Sequence, residues 1–244
     1  MKPYLSVIIP AYNEAKRLPL TLIDIDKHLS KADFSYEIVV VDNNSKDATR
    51  EIASRFIPLI KNLKVIECKT QGKGAAVKKG MLEAEGDIRL FTDADNSTSV
   101  DHFFKMKHYF SEGYDIVIGS RDVAGARLEP PQPWYKRVLG DMGNIFIQLM
   151  LLRGIKDTQC GFKAFSEKAA QSIFSLANIV GWGFDVEILA LGKKMGYKIK
   201  EIPVRWVNSA FSLVKPTAYL MVLLEVVKIR IRLALGKYKI QKNY

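Results

Sequence analysis

Cysteine is scarce in this chain: two in 244 residues, Cys68 and Cys160, in different segments. They form no metal-ligand spacing and no disulfide framework, and such usage suits a reducing compartment. The three histidines, His28, His102 and His108, match no catalytic or metal arrangement and read as surface or helix residues. No stretch supplies the ~20 predominantly apolar residues that a membrane-spanning helix needs. Met1-Lys2-Pro3-Tyr4 leads straight into a strand pattern, without the apolar core and cleavage site of a secretion signal, so none is expected. Internal repeats and low-complexity segments are absent. Acidic residues are nearly missing from the last fifth. Lys193 to Tyr244 holds 12 Lys/Arg against 2 Asp/Glu, so this segment carries almost all of the net +11.

Hydrophobic residues make up 48% of the chain, enough to bury a substantial core. The basic tail is also rich in large apolar residues, which favours a membrane surface over a nucleic-acid groove. Strand and helix patterns alternate through the first half. Strands are expected at Leu5 to Ile9, Tyr36 to Val41, Leu63 to Glu67, Ile88 to Thr92 and Tyr114 to Gly119. Helices are expected at Ala15 to Leu29, Ala48 to Phe56, Lys73 to Ala84 and Val100 to Phe110. Later come helices at Trp134 to Leu152, Ala169 to Leu176, Asp185 to Met195 and Thr217 to Leu235, and a strand at Lys198 to Val207. Such alternation predicts an α/β fold with a mostly parallel central sheet flanked by helices. Ligands of such sheets sit beyond the carboxyl ends of the strands.

At those ends stand Pro10-Ala11-Tyr12-Asn13-Glu14, Asp42-Asn43-Asn44-Ser45, Asp93-Ala94-Asp95-Asn96 and Ser120-Arg121. Asp93 and Asp95 share a face of an extended segment, beside the amide of Asn96. Hard oxygen donors in this arrangement suit Mg²⁺ or Mn²⁺ together with phosphate oxygens. An isolated Asp-x-Asp would more readily be a solvated acidic turn after a strand. Gly72-Lys73-Gly74 opens a helix, where glycines permit close approach and amides favour anions. Asp42 can accept hydrogen bonds from a base or ribose, or serve simply as a turn residue.

Eight ordered motifs carry a resemblance across almost the whole chain. S-V-I-I-P-A-Y-N-E (Ser6 to Glu14), V-V-V-D-N-N-S-K-D-A-T (Val39 to Thr49), G-K-G-A-A-V-K-K-G (Gly72 to Gly80) and F-T-D-A-D-N (Phe91 to Asn96) resemble family 2 glycosyltransferases. I-G-S-R (Ile118 to Arg121), D-T-Q-C-G-F-K-A-F (Asp157 to Phe165), G-W-G-F-D-V-E-I-L (Gly181 to Leu189) and E-I-P-V-R-W-V-N-S (Glu201 to Ser209) resemble the polyprenyl-phosphate glycosyltransferases among them. The dolichyl-phosphate β-glucosyltransferase branch is nearest, with the dolichol-phosphate mannose synthases beside it.

The resemblance implies a nucleotide-binding fold of the glycosyltransferase A type over residues 1–209, with a basic amphipathic extension at 210–244 on a membrane surface. It implies inverting, metal-dependent transfer of a hexose from a nucleotide diphosphate sugar to a polyprenyl or dolichyl phosphate. Glucose from UDP-glucose comes first and mannose from GDP-mannose second. Pro10, Ala11, Tyr12, Glu14, Asp42, Lys73, Asp93, Ala94 and Asp95 would bind the nucleotide sugar. Asp93, Asp95 and Asn96 would hold the metal. Arg121, Arg137, Ser212 and Lys215 would meet the acceptor phosphate, with Lys136 beside them; a solvated helix face accounts equally well for Lys136 and Arg137. Asp185 would position the acceptor, since a phosphate monoester is already anionic and needs no strong base. Gln159 and Cys160 would border the sugar pocket. The enzyme would work peripherally on the cytoplasmic side of a membrane. One rival is a family 2 transferase acting on a sugar hydroxyl or another lipid. A rival of another class, a basic nucleic-acid-binding protein, leaves the motifs unexplained, so no nucleic-acid partner is expected.

Overall fold

The computed structural model describes residues 2–130, 134–207 and 217–240. A seven-stranded sheet forms its centre, in the order β3-β2-β1-β4-β7-β5-β8. β1 (Leu5–Ala11), β2 (Tyr36–Asp42), β3 (Leu63–Glu67) and β4 (Ile88–Thr92) run parallel. β5 (Ile116–Ser120) pairs in parallel with β8 (Ile199–Pro203). β7 (Phe162–Ser166) lies antiparallel between β4 and β5. Strands with helices on both faces read as continuous apolar runs. β2 and β4 are buried along their whole length.

Successive residues of β1 feed opposite faces, as a period of two requires. Ile8 joins one core with α3 (Lys73–Glu83), α6 (Glu167–Leu176), α7 (Phe184–Lys194) and α8 (Thr217–Ala234). Leu5, Val7 and Ile9 join the other, with α1 (Leu18–Leu29), α2 (Thr49–Arg55) and α4 (Phe103–Ser111). In α1, Leu18, Leu22, Ile25 and Leu29 form the buried stripe that their spacing predicts. The helix begins at Leu18, later than Ala15. Pro19 has no N–H to bond a carbonyl four residues back, so it sits in the first turn.

Two further departures have local causes. β7 falls within a segment read only as a motif, because it breaks the alternation of parallel strands and helices by running antiparallel; Phe162, Lys163, Ala164 and Phe165 are all buried. The expected strand Lys198 to Val207 is two strands. After Pro203 the chain leaves the main sheet, and β9 (Arg205–Val207) pairs in parallel with β6 (Arg127–Glu129).

α5 (Trp134–Ile147) continues into a wide turn, Gln148–Leu152, and packs beside α8. α8 carries two apolar stripes. Val222, Val226 and Ile229 are buried, whereas Leu220, Leu224, Val227 and Ile231, with Leu235 just past its end, are exposed on another face. Met142 and Ile145 on α5 and Leu149 in the turn after it form an exposed stripe. The extension is therefore partly core: Tyr238 is also buried, and its hydroxyl donates to Glu187 Oε1 at 2.6 Å.

Candidate active site

The parallel strands deliver their polar ends to one edge. Ala11 ends β1 opposite Asp42, the last residue of β2, and β4 adjoins β1 on its other side. Neighbouring strands lie about 5 Å apart. Two adjacent loops are knitted into a single rim. The Asn13 amide donates to Ser45 Oγ at 3.1 Å, the Lys46 amide to Asn13 Oδ1 at 2.8 Å, and the Glu14 amide to Thr49 Oγ1 at 2.7 Å. Pro10, Ala11 and Tyr12 lie on this rim, with Ala11 buried and Tyr12 half-buried. Glu14 is buried; burial pushes its carboxyl up against the pull of Arg17.

Asp42 is only 4% exposed, and among the described residues its Oδ1 has no hydrogen-bond partner. A buried carboxylate oxygen without a donor is costly, and a ligand N–H or O–H would relieve it. Asn43 beside it is fully used. Its Nδ2 donates to the Cys68 and Thr70 carbonyls at 3.1 and 2.7 Å, and its Oδ1 accepts the Gly72 amide at 2.8 Å.

The Gly72-Lys73-Gly74 turn differs from its sequence reading. The Gly74 amide donates to the Val180 carbonyl at 2.9 Å and the Gly72 amide goes to Asn43, so neither awaits an anion. The glycines serve a close crossing instead. A Cβ on Gly72, which has φ +133°, would collide with the Val180 carbonyl, and one on Gly74 with that of Ile179. The crossing leaves Lys73 facing Asp93, with Nζ 2.5 Å from Oδ1. The same ammonium lies 5.4 Å from the ring centre of Trp182 and 5.9 Å from that of Phe184. Burial lowers the Lys73 pKa, but Asp93 and Asp185 more than offset this and hold it above the ordinary lysine value.

Asp93, Asp95 and Asn96 form the turn after β4. Asp95 Oδ1 accepts the Ser97 amide at 3.0 Å, and Arg17 Nη1 lies 3.5 Å from its Oδ2. Ala94 is buried, its carbonyl accepting from Thr21 Oγ1 at 2.7 Å. Asn96, at φ 53°, is half-buried in the left-handed conformation that asparagine tolerates. Gly161 leaves the space that Asp93 occupies, since a Cβ there would overlap the carboxylate. Among the described residues no three His, Cys, Asp or Glu side chains gather as a metal cage. Two carboxylates on one turn are the donor set that Mg²⁺ takes when substrate phosphates complete its shell.

Asp185 lies in the first turn of α7, 3% exposed, and accepts from Lys163 Nζ at 2.5 Å. Lys163 is fully buried and also donates to the Cys160 carbonyl at 2.5 Å. Burial pushes the Asp185 carboxyl up while Lys163 and Lys73 pull it back, and the balance stays above the ordinary aspartate value. Glu187 does different work. It accepts the Asn178 and Ile179 amides at 2.9 and 2.8 Å and anchors Tyr238. Gly183, before α7, gives its amide to Glu225 of α8 at 2.7 Å.

Arg121 has a partner that its sequence reading did not include. The fork expected to grip an acceptor phosphate is occupied by Asp157, with Nε–Oδ2 2.7 Å and Nη2–Oδ1 2.9 Å. Its guanidinium also stacks 4.9 Å from the ring centre of Trp206. Asp157 further accepts the amides of Arg121, Gln159 and Cys160. The carboxylate of Glu201 holds the Lys156 and Asp157 amides at 2.9 and 3.0 Å. In this pairing the Nε–Nη2 edge of the guanidinium serves Asp157. Burial, with Asp157 nearby, pushes the Cys160 thiol up to about 12, so it is a neutral packing residue at physiological pH. His102 is not a surface residue: it is buried, and its Nε2 accepts the Arg205 amide at 3.0 Å. The Lys136 and Arg137 side chains, with Ser212 and Lys215, lie outside the described residues.

Sequence reasoning left Asp157, Lys163, Arg17, Gly161 and Glu225 without roles. Asp157, Gly161 and Lys163 stood inside the quoted D-T-Q-C-G-F-K motif, and a lysine in an otherwise apolar strand was the available signal.

Comparison with known proteins agrees with this geometry. Residues 6–174 match the model of Glycosyl transferase family 2. The chain is 38% identical to a dolichyl-phosphate beta-glucosyltransferase of Dictyostelium discoideum, over 98% of this chain and 77% of that protein. It is 30% identical to the Homo sapiens protein of the same name, over 98% and 78%. In fold it resembles glucosyl-3-phosphoglycerate synthase from Mycobacterium tuberculosis, solved with UDP, at TM-score 0.67 and 19% identity, covering 94% of this chain and 79% of that one. Mannosyl-3-phosphoglycerate synthase from Rubrobacter xylanophilus matches at TM-score 0.69 and 16% identity, covering 99% and 77%. The sheet is thus that of the glycosyltransferase A type, and with the family model and these relatives spanning most of its length, the chain belongs to glycosyl transferase family 2 and is a glycosyltransferase.

Proposed function

We propose that this enzyme transfers glucose from UDP-glucose to a dolichyl or other polyprenyl phosphate, with inversion at the anomeric carbon. The observation that carries the reading is the meeting, on one sheet edge, of the Asp93–Asp95 pair and the unpartnered Asp42 oxygen. One group offers donors for a cation and diphosphate; the other accepts from a base or ribose. Relatives at 30–38% identity over 98% of the chain are named for glucose transfer to dolichyl phosphate, which supports this donor and acceptor.

Asp93 and Asp95, with Asn96 on the same turn, would hold Mg²⁺ or Mn²⁺. Bound there, the cation would neutralise charge developing on the leaving diphosphate. Related folds were solved with Mn²⁺ or Mg²⁺ and UDP, which supports the choice of ion. Lys73 adds a positive charge beside the same site. The rim of Pro10, Ala11, Tyr12 and Glu14 would frame the nucleoside. Asp185, held by Lys163, would position the acceptor. Arg121, tied to Asp157, would brace the strand end, leaving Arg137, Ser212 and Lys215 as candidates to meet the acceptor phosphate. No covalent enzyme intermediate is required, because the acceptor phosphate is itself the nucleophile.

The acceptor carries a long apolar chain, so the enzyme would work peripherally at a membrane. No described helix is long and apolar enough to cross one. The exposed stripes of α5 and α8, with Lys228 and Arg230 on α8, suit adsorption to an anionic surface. The free thiols Cys68 and Cys160 support a cytoplasmic side. A donor screen with one polyprenyl phosphate tests the reading. UDP-glucose should give the most lipid-linked sugar, and preference for GDP-mannose would reassign the donor.

A further inference from the structure

The two carboxylates that suit a divalent cation are already occupied by the protein's own cations. Lys73 Nζ lies 2.5 Å from Asp93 Oδ1, and Arg17 Nη1 lies 3.5 Å from Asp95 Oδ2. These cations come from different elements, Lys73 from the first turn of α3 and Arg17 from just before α1. Both are held in place. Arg17 Nε donates to Glu14 Oε2 at 2.6 Å. The backbone is pinned on both sides of Lys73, by Gly72 on Asn43 and Gly74 on Val180, and its ammonium sits between Asp93 and the Trp182 and Phe184 rings. Only 18% of the Lys73 side chain is exposed.

An ammonium and a divalent cation on the same carboxylate oxygen repel each other and crowd its lone pairs, so they compete for Asp93. A diphosphate brings new anionic oxygens that would give Lys73 another partner. We propose that Lys73 is a latch on the cation site, bound to Asp93 in the nucleotide-free enzyme and transferred to the diphosphate when nucleotide and divalent cation enter together. The inference rests on reading Asp93 and Asp95 as the cation and diphosphate site. It adds a coupling. The cation alone must displace Lys73 from Asp93, whereas the nucleotide supplies new anionic oxygens to receive it, so each ligand strengthens the other. In the nucleotide-free site the latch also relieves repulsion among Asp93, Asp95 and the nearby Asp185.

Binding of Mn²⁺ to the full chain, read from the electron paramagnetic resonance signal of free Mn²⁺ with and without UDP, tests this directly. The wild type should bind Mn²⁺ weakly alone and much more tightly with UDP. Lys73→Met, with Lys73→Gln as a second neutral variant, should bind Mn²⁺ alone about tenfold more tightly, the effect of removing a competitor worth one decade in affinity. Its gain from UDP should shrink. Lys73→Arg should keep the weak nucleotide-free binding. Thermal melting identifies which neutral variant folds. If UDP tightens Mn²⁺ binding in the wild type, yet neither neutral variant binds Mn²⁺ more tightly without UDP, the latch is overturned and the cation site stands. If the wild type binds no Mn²⁺ even with UDP, the latch falls together with the cation reading.

Discussion

Gly161 decides whether Asp93 can stand where it does. A methyl group at this position would overlap the carboxylate, so Gly161→Ala must move Asp93 or the strand beneath it. The expected outcome is loss of roughly a hundredfold or more in turnover, since a displacement near 1 Å costs that much. The melting temperature should fall modestly, as overpacking costs about 1–3 kcal/mol. Steady-state rates and thermal melts on one preparation check both. Arg121 and Asp157 make the second prediction. Burial raises the Asp157 carboxyl, but the adjacent Arg121 guanidinium lowers it further, leaving it below the ordinary value. The resulting stability is complete above the unfolded aspartate value, about 4, and is lost as pH falls below it toward the native value. Arg121→Ala should leave a buried carboxylate unpaired, cost about 3–5 kcal/mol and shift acid unfolding to higher pH. Arg121→Lys should recover only part, because it lacks the bidentate fork. Melting curves across acidic and neutral pH check this, and an unchanged profile in Arg121→Ala would return Arg121 to the acceptor phosphate.

At the scale of elements, α8 is both a core helix and an exposed apolar face. Deleting the chain from Lys228 would confuse the two, because Ile229 and Tyr238 are buried. Substitution separates them. Replacing Leu220, Leu224 and Ile231 with serine should change stability by only about 0.5 kcal/mol each, as exposed positions do. Binding to anionic liposomes should drop, and transfer to long-chain acceptors should slow more than transfer to a short soluble one. Val226→Asp should instead cost several kcal/mol, because it places an unpaired charge in the core. Sedimentation with liposomes, beside melting curves, tells these outcomes apart. The strands show what was legible in the sequence. β1, β2 and β4 stood out because burial on both faces concentrates apolar residues in them, with single polar residues such as Ser6, Glu37 and Arg89 buried among these. β7 did not, because it breaks the strand–helix alternation by running antiparallel between β4 and β5, and the charge of its Lys163 is matched only in three dimensions by Asp185, 22 residues on.

Over the whole molecule, strand alternation was enough to place the polar loops on one edge, and the resemblance pointed to the family. What stayed hidden was the pairing of charges across that edge. Lys73 with Asp93, Arg17 with Asp95 and Arg121 with Asp157 join residues brought together only by the order β2-β1-β4-β7-β5 and its loops. No local spacing encodes such pairs, so the Asp157 partner of Arg121 was not foreseen. The central claim, metal-assisted sugar transfer to a lipid phosphate, is tested most directly with radiolabelled UDP-glucose, a polyprenyl phosphate and Mg²⁺ or Mn²⁺, by counting label in the organic extract. The wild type should produce extractable glucose that vanishes with EDTA, and Asp95→Asn should be inactive at an unchanged melting temperature. Full transfer in EDTA, or undiminished transfer by Asp95→Asn, would contradict the account.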